Sequence, residues 1–267
     1  MAAAAAIIVI AGYRNATAVP LVRRMNLSVP GYPETAPPLR IVLFSDVHVH
    51  GPDMPPKRVA RIVDQINALN PDLVIAAGDF IGDNWLGETY PIDQAIAPLS
   101  RLKSRLGVYA VLGNNDYSAG SNDVTTALKR ADVHVLADDA VGLAPIALGG
   151  RDGRLYHRHA AWNAARLKTY EALRHTSGIK VLVAHRPDEF AFVPSSTALV
   201  LAGHTHCGQI VVPIIGALAT GSDFGTKYLC GVIRDGSKTL VVTAGLGTSF
   251  VPLRFGAPPD IWLITVH

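Results

Sequence analysis

Five short polar clusters hold the residue types that bind cations and handle phosphoryl groups. They are Asp46-Val47-His48, Gly78-Asp79, Gly113-Asn114-Asn115-Asp116, His185 and Gly203-His204-Thr205-His206. Carboxylate and amide oxygens mixed with imidazole nitrogens suit Mn, Fe or Zn better than Ca or a thiolate site. A single histidine at such a place is more often a hydrogen-bonded structural residue. Burying the whole set with no cation would strand many polar groups away from water.

Each cluster directly follows a short apolar run that reads as a buried strand: Arg40–Ser45, Leu73–Ala77, Val108–Leu112, Lys180–Ala184 and Ala198–Ala202. Val59, Ile62, Val63, Ile66 and Leu69 recur at helical spacing and predict a helix over Pro56–Asn70. Further helices are expected over Ile92–Leu106, Val124–Arg130 and Ala160–His175. Additional strands are expected near Val133–Leu136, Pro145–Leu148, Tyr228–Arg234, Thr239–Thr243 and Ile261–Val266. Strands alternating with helices argue for a layered α/β sheet. The carboxyl ends of strands in such a sheet form the ligand crevice, so the five clusters should converge there.

The order Asp-x-His, Gly-Asp, Gly-Asn-x-Asp, His, Gly-His-x-His resembles the calcineurin-like metallophosphoesterase superfamily over roughly residues 40–267. The resemblance implies an α/β four-layer sandwich of two mixed β-sheets flanked by helices, with a dinuclear metal site at the strand C-terminal ends. It implies that Asp46, His48 and His206 bind one divalent metal ion, that Asn114, His185 and His204 bind the other, and that Asp79 bridges them. Two such ions, Mn, Fe or Zn, would hold a hydroxide for in-line attack on a phosphodiester or pyrophosphate. Gly208-Gln209, Gly245-Leu246-Gly247-Thr248-Ser249 and Pro252-Leu253-Arg254-Phe255 are similar to a bacterial, membrane-linked phosphodiesterase branch.

One position departs from that pattern. The family usually carries Gly-Asn-His-Asp, and here Asn115 precedes Asp116. Both are candidate catalytic residues, but asparagine cannot donate a proton to a leaving group near neutral pH. A phosphate leaving group needs little protonation, which favours a pyrophosphate such as UDP-2,3-diacylglucosamine, whose known hydrolases also lack histidine here but carry arginine. The alternatives are a generalist phosphomonoesterase, a weak phosphodiesterase whose acid is His50 or His157, or a catalytically weak metal-stabilised interaction module. His50 and Arg186 are candidate substrate contacts. The basic stretch Arg151, Arg154, Tyr156, His157, Arg158 and His159 reads mainly as a solvated face. Cys207 and Cys230 are expected to be free thiols.

The chain of 267 residues is 49% hydrophobic and 17% charged, which excludes a disordered polypeptide. A net charge of +3 with no basic arm gives no reason to expect nucleic acid, and a phosphorylated small molecule or lipid-linked compound is the expected partner. Three parts are expected: an apolar segment over 1–13, a proline-rich linker over 14–38 and the catalytic domain over 39–267. The unbroken apolar run Ala2–Ala11 falls short of the about 20 residues needed to cross a bilayer. It reads as the end of a membrane helix, a shallow anchor or a soluble helix. Arg14, Arg23 and Arg24 after it would hold the domain on the cytoplasmic side of a bacterial inner membrane.

Overall fold

The structure is a computed structural model that describes residues 2–83, 85–153 and 159–267. The strands are β1 (Leu21–Leu27), β2 (Leu39–Phe44), β3 (Leu73–Ala76), β4 (Val108–Ala110), β5 (Val133–Val135), β6 (Asp139–Leu143) and β7 (Ile146–Arg151), followed by β8 (Ile179–Ala184), β9 (Thr197–Ala202), β10 (Val211–Val212), β11 (Gly216–Ala217), β12 (Gly231–Asp235), β13 (Lys238–Val242) and β14 (Asp260–Val266). The helices are α1 (Ala2–Ala16), α2 (Pro56–Asn67), α3 (Ile92–Ile96), α4 (Asn114–Arg130) and α5 (His159–His175).

Two mixed six-stranded sheets pack face to face, in the orders β1-β14-β2-β3-β4-β5 and β12-β13-β9-β8-β7-β6. Successive residues of a strand point to opposite faces, and here both faces are apolar. Ile41 and Leu43 of β2 meet Val181 and Val183 of β8 and Leu199 and Leu201 of β9 between the sheets. Val42 and Phe44 point outward to α2 and α4, while Leu182 and Val200 point outward on the other side toward Leu173 of α5. This is the expected four-layer α/β sandwich. Strands β2, β3 and β4 run parallel in one sheet and β8 and β9 run parallel in the other, so their carboxyl ends share an edge on each sheet.

The stretch expected as a linker is built differently. Residues Leu21–Leu27 form edge strand β1, paired in parallel with β14 from Leu21↔Asp260 to Leu27↔Val266. Pro20 and Pro30 lie just outside it, where their missing N–H groups cost the ladder nothing. Arg23 donates from Nε to Asp260 Oδ2 at 2.6 Å, so a charged, poorly alternating segment is held by its partner strand. The expected helix Ile92–Leu106 stops at Ile96 and continues as a 3₁₀ turn over Ala97–Arg101, since Pro98 supplies no donor to an α-helix. Helix α4 begins ten residues earlier than expected, at Asn114, and kinks at Gly120, whose φ is 114°. Strand β6 and the small β10–β11 hairpin were not anticipated. Among the described residues no helix is long and apolar enough to cross a membrane.

Candidate metal centre

The turns that follow β2, β3, β4, β8 and β9 deliver the candidate ligands. Asp46, His48, Asp79, His204 and His206 all have positive φ, between 45° and 72°. Non-glycine residues rarely occupy that region, and such strain persists only where the surroundings enforce it. Glycines make room for the carboxylates. A Cβ on Gly113 would lie 2.0 Å from Asp79 Oδ1, and one on Gly203 would lie 2.4 Å from Asp46 Oδ2.

Two clusters of donor atoms result. Asp46, His48 and His206 form one, and Asp79, His185 and His204 form the other, with the donor atoms of each within 4.8 Å of one another. In the first, His48 Nε2 and His206 Nε2 lie 3.1 Å apart, and His206 Nε2 is 3.6 Å from Asp46 Oδ1. In the second, His185 Nε2 lies 3.0 Å from His204 Nδ1 and 3.3 Å from Asp79 Oδ2. Asp79 Oδ2 is also 3.6 Å from His48 Nε2, so this carboxylate faces both clusters. Six buried or nearly buried groups thus aim nitrogen lone pairs and carboxylate oxygens at common points. That donor set fits divalent Mn, Fe or Zn.

The tautomers agree with this reading where a partner fixes them. His185 donates from Nδ1 to the Ala77 carbonyl at 2.7 Å, which turns Nε2 toward Asp79 as the nitrogen that would exchange its proton for a metal. His48 Nδ1 has Asp83 Oδ1 at 3.7 Å behind it. Burial pulls the His185 pKa down, but the Asp79 carboxylate outweighs burial and lifts it to about 9. The same attraction holds Asp79 below the usual carboxylate range despite its burial. Burial, then the neighbouring His185 and Arg186 cations, push His204 well below its ordinary value. Burial, then His48 and Arg254, do the same to His206. Both therefore present neutral rings, the form that binds a metal.

Asn114 lines the cavity beside these clusters and donates from Nδ2 to Asn115 Oδ1 at 2.7 Å. The Asn115 side chain lies 3.3 Å from His48 Nδ1, at the cavity wall. Asp116 points the other way. Its carboxylate accepts from the backbone N–H groups of Asp79 and Gly113 at 2.9 Å, Phe80 at 2.8 Å and Ile81 at 3.2 Å. It is fully buried and works as a brace for the Asp79 turn. Burial, then the Asp79 carboxylate, raise its pKa to about 7 against the pull of those donors.

The expected substrate contacts fall elsewhere. His50 is buried and bonds to the adjacent Gly51 carbonyl, away from the cavity lining. Arg186 stands behind the ligands, with Nη1 2.9 Å from His204 Nε2 and Nη2 donating to the Gly221 carbonyl at 3.0 Å. Arg151 is buried between Asp138 and Glu189 and does not belong to a solvated face. Arg154, Tyr156, His157 and Arg158 lie outside the described residues, as does the side chain of His159.

Three contributors were not read from the sequence. Cys207 and Cys230 are joined in a disulfide, with Cα atoms 4.8 Å apart, so neither is the free thiol expected. Spacing along a chain carries no signal for a single bridge, whose requirement is proximity in space. Arg254, which enters the sequence pattern only as part of Pro252-Leu253-Arg254-Phe255, is fully buried. It donates to the carbonyls of Ala244, Gly245, Gly247 and Ala257 and sits 3.2 Å from His206 Nδ1. Gln209 locks the loop after His206 to the tail through Ser249 and Val251. The cavity above the ligands has a volume of about 310 Å³, and its far side is lined by Ile210, Leu218, Phe250 and Val251.

Comparison with known proteins agrees with this architecture. The calcineurin-like phosphoesterase family profile matches residues 39–208. A transmembrane protein with metallophosphoesterase domain from Danio rerio is 31% identical over 96% of this chain, which spans 59% of that protein. An uncharacterized metallophosphoesterase from Aquifex aeolicus is 30% identical over 85% of both chains. In fold, the chain is similar to a putative 5'-nucleotidase from Staphylococcus aureus, with a TM-score of 0.50 at 12% identity, covering 79% of this chain and 49% of that one. The chain belongs to the calcineurin-like phosphoesterase family.

Proposed function

We propose that the protein is a metal-dependent hydrolase of phosphodiester or pyrophosphate bonds, associated with a membrane. The observation that carries this reading is the convergence of two imidazole–carboxylate clusters from two different sheets on the floor of one cavity. When bound, two divalent cations would supply an activated water and neutralise charge developing at phosphorus. The protein's own part is positioning. Asp46 is fixed by the Ser45 hydroxyl and by the His204 backbone N–H at 2.9 Å, which ties the first sheet's turn to the second's. Asp79 is fixed by the Asn115 backbone N–H at 2.9 Å and by the Asp116 brace beneath it. Asn114, His185 and His204 are proposed for one cation, Asp46, His48 and His206 for the other, with Asp79 shared.

Asn115 supports the finer choice of substrate. Its amide can hydrogen-bond a phosphoryl oxygen but cannot protonate an alkoxide. That favours leaving groups that are already acidic, as in pyrophosphate cleavage, of which a nucleotide-sugar lipid is one example. Membrane association is supported by the apolar helix α1 and by the transmembrane relatives. The test is turnover by protein reconstituted separately with Mn, Fe and Zn. Bis-p-nitrophenyl phosphate and pyrophosphate-linked substrates should both be hydrolysed, and failure on both would remove the enzyme reading. In Asn115→His, restored general acid catalysis should raise alkyl diester turnover by up to about 10²-fold and leave pyrophosphate turnover nearly unchanged. An equal effect on the two classes would refute the leaving-group argument.

A further inference from the structure

The polar floor of the cavity would serve phosphoester chemistry, but its far wall is apolar and continues onto the surface. Phe250 on that wall is 54% exposed and packs against Trp85, itself 75% exposed, with ring centroids 5.7 Å apart. Beside it, the β10–β11 hairpin turns through Pro213-Ile214-Ile215, and Ile214 and Ile215 are 108% and 74% exposed. Ile214 has φ +73°, a conformation in which turns normally place glycine or asparagine. A fully exposed β-branched residue at such a tip suits an apolar medium better than water.

Helix α1 says what that medium is. Its four consecutive residues Ile7, Ile8, Val9 and Ile10 are all more than half exposed. Successive helical residues turn by about 100°, so these four cover every side of the helix. A groove on a partner protein would cover one stripe, whereas a helix apolar all round is matched by lipid on all sides. The charged residue of α1 is Arg14, which complements anionic headgroups.

The helix, the hairpin and the cavity mouth are joined by one strip of chain. Arg254 donates its backbone N–H to the Gly12 carbonyl, and Asn15 donates to the Arg254 carbonyl. The next residue, Phe255, accepts from the Val211 backbone N–H, while Phe250 and Val251 on the same strip line the cavity.

We propose that α1 and the β10–β11 hairpin dock the molecule on a lipid bilayer, so that the cavity opens at headgroup level and takes phosphoesters carried by membrane lipids. The phosphoryl group would reach the ligand floor while the acyl portion stays against Phe250, Leu218 and the bilayer. The substrate half of this statement rests on the phosphoesterase reading; the docking half does not.

The experiment uses the full chain loaded with metal and vesicles of phosphatidylcholine with phosphatidylglycerol. Trp162 and Trp262 are buried at 9% and 7% exposure, so Trp85 is the reporter. Its emission should shift to the blue on vesicle addition and be quenched by brominated lipid, and Trp85→Phe should abolish the response. In the double variant Ile214→Asp, Ile215→Asp, quenching should be lost. Hydrolysis of a lipid-borne pyrophosphate in the vesicles should fall by about tenfold or more, as expected from two fewer buried isoleucines. Turnover of soluble bis-p-nitrophenyl phosphate should stay within a factor of about two, since neither side chain lines the cavity. No Trp85 response in the parent, or unchanged quenching and lipid turnover in the variant, would overturn the proposal. So would a change of oligomeric state in place of a change in vesicle response, which would mark the face as an interface between copies. A vesicle response without turnover of any substrate would instead remove the phosphoesterase reading and leave the docking intact.

Discussion

At the end of the first sheet, Asp79 is held by the backbone immediately around it, with four N–H groups of neighbouring turns converging on Asp116. At the end of the second sheet, the loop from His204 to His206 is held by side chains, those of Arg186 and Arg254, and by the bond from Cys207 to Cys230. The first arrangement is made by backbone N–H groups of the turns that follow β3 and β4, and it forms as soon as those two strands lie side by side. The second needs the tail of the chain, since Arg254 follows His206 by 48 residues. Each donor cluster draws on both sheets, since His206 completes the cluster of Asp46 and His48 and His204 completes the cluster of Asp79, and the Asp79 carboxylate faces both. Loosening either arrangement should therefore affect both cations, and that is the point on which the comparison can be broken.

The largest effect is expected from Asp79→Asn. Removing the carboxylate that faces both clusters should lower turnover by at least about 10³-fold. Metal analysis should find fewer than two ions per chain, and retention of both would refute the shared role of Asp79. Next comes Asp116→Ala, which leaves three buried N–H groups and one partly buried N–H without their acceptor. The cost should be about 3–4 kcal/mol, read as a fall in Tm of about 10 °C. A variant with unchanged Tm but abolished turnover would instead show that Asp116 acts in the chemistry. The smallest effect on stability should come from Cys207→Ser with Cys230→Ser, at about 3 kcal/mol for a loop of this length. Affinity for both cations should fall together by about tenfold, as it does when a ligand loses its support. Loss of one cation alone would break the comparison and show that the clusters are independent.

The contrast between the two arrangements also explains what could be read from the sequence. The ligands were legible because each is a polar residue placed directly after an apolar run, and an α/β sheet brings such positions to one edge. The convergence of His185 with Asp79 across two sheets needed only that rule and the residue types. Supports that depend on distant chain were not legible. Nothing local to Arg254 indicates that His206 will stand beside it, and two cysteines separated by 23 residues carry no mark of being bonded. Strand β1 was hidden because Arg23 and Arg24 interrupt its apolar pattern, and the partner that stabilises it, β14, is at the far end of the chain. Pro98 is a local signal against a continuous helix over Ile92–Leu106, since a proline there denies the α-helix a donor. Asp116 was legible by position but its surroundings were not, because its turn points the carboxylate under Asp79 and away from the cavity.

The bond between Cys207 and Cys230 bears on where the protein works. Cytosolic thiols are kept reduced by glutathione and thioredoxin, whereas disulfides persist in secreted and periplasmic settings. With the bond closed, the loop after β9 keeps its shape best outside the cytosol. Arg14 near the end of α1 and Arg23 and Arg24 beyond it carry the opposite expectation, a cytoplasmic domain, so the redox state of two side chains beside a metal ligand becomes a reporter of topology. A membrane-impermeant thiol reagent applied to intact cells, before and after a reductant, reads that state directly.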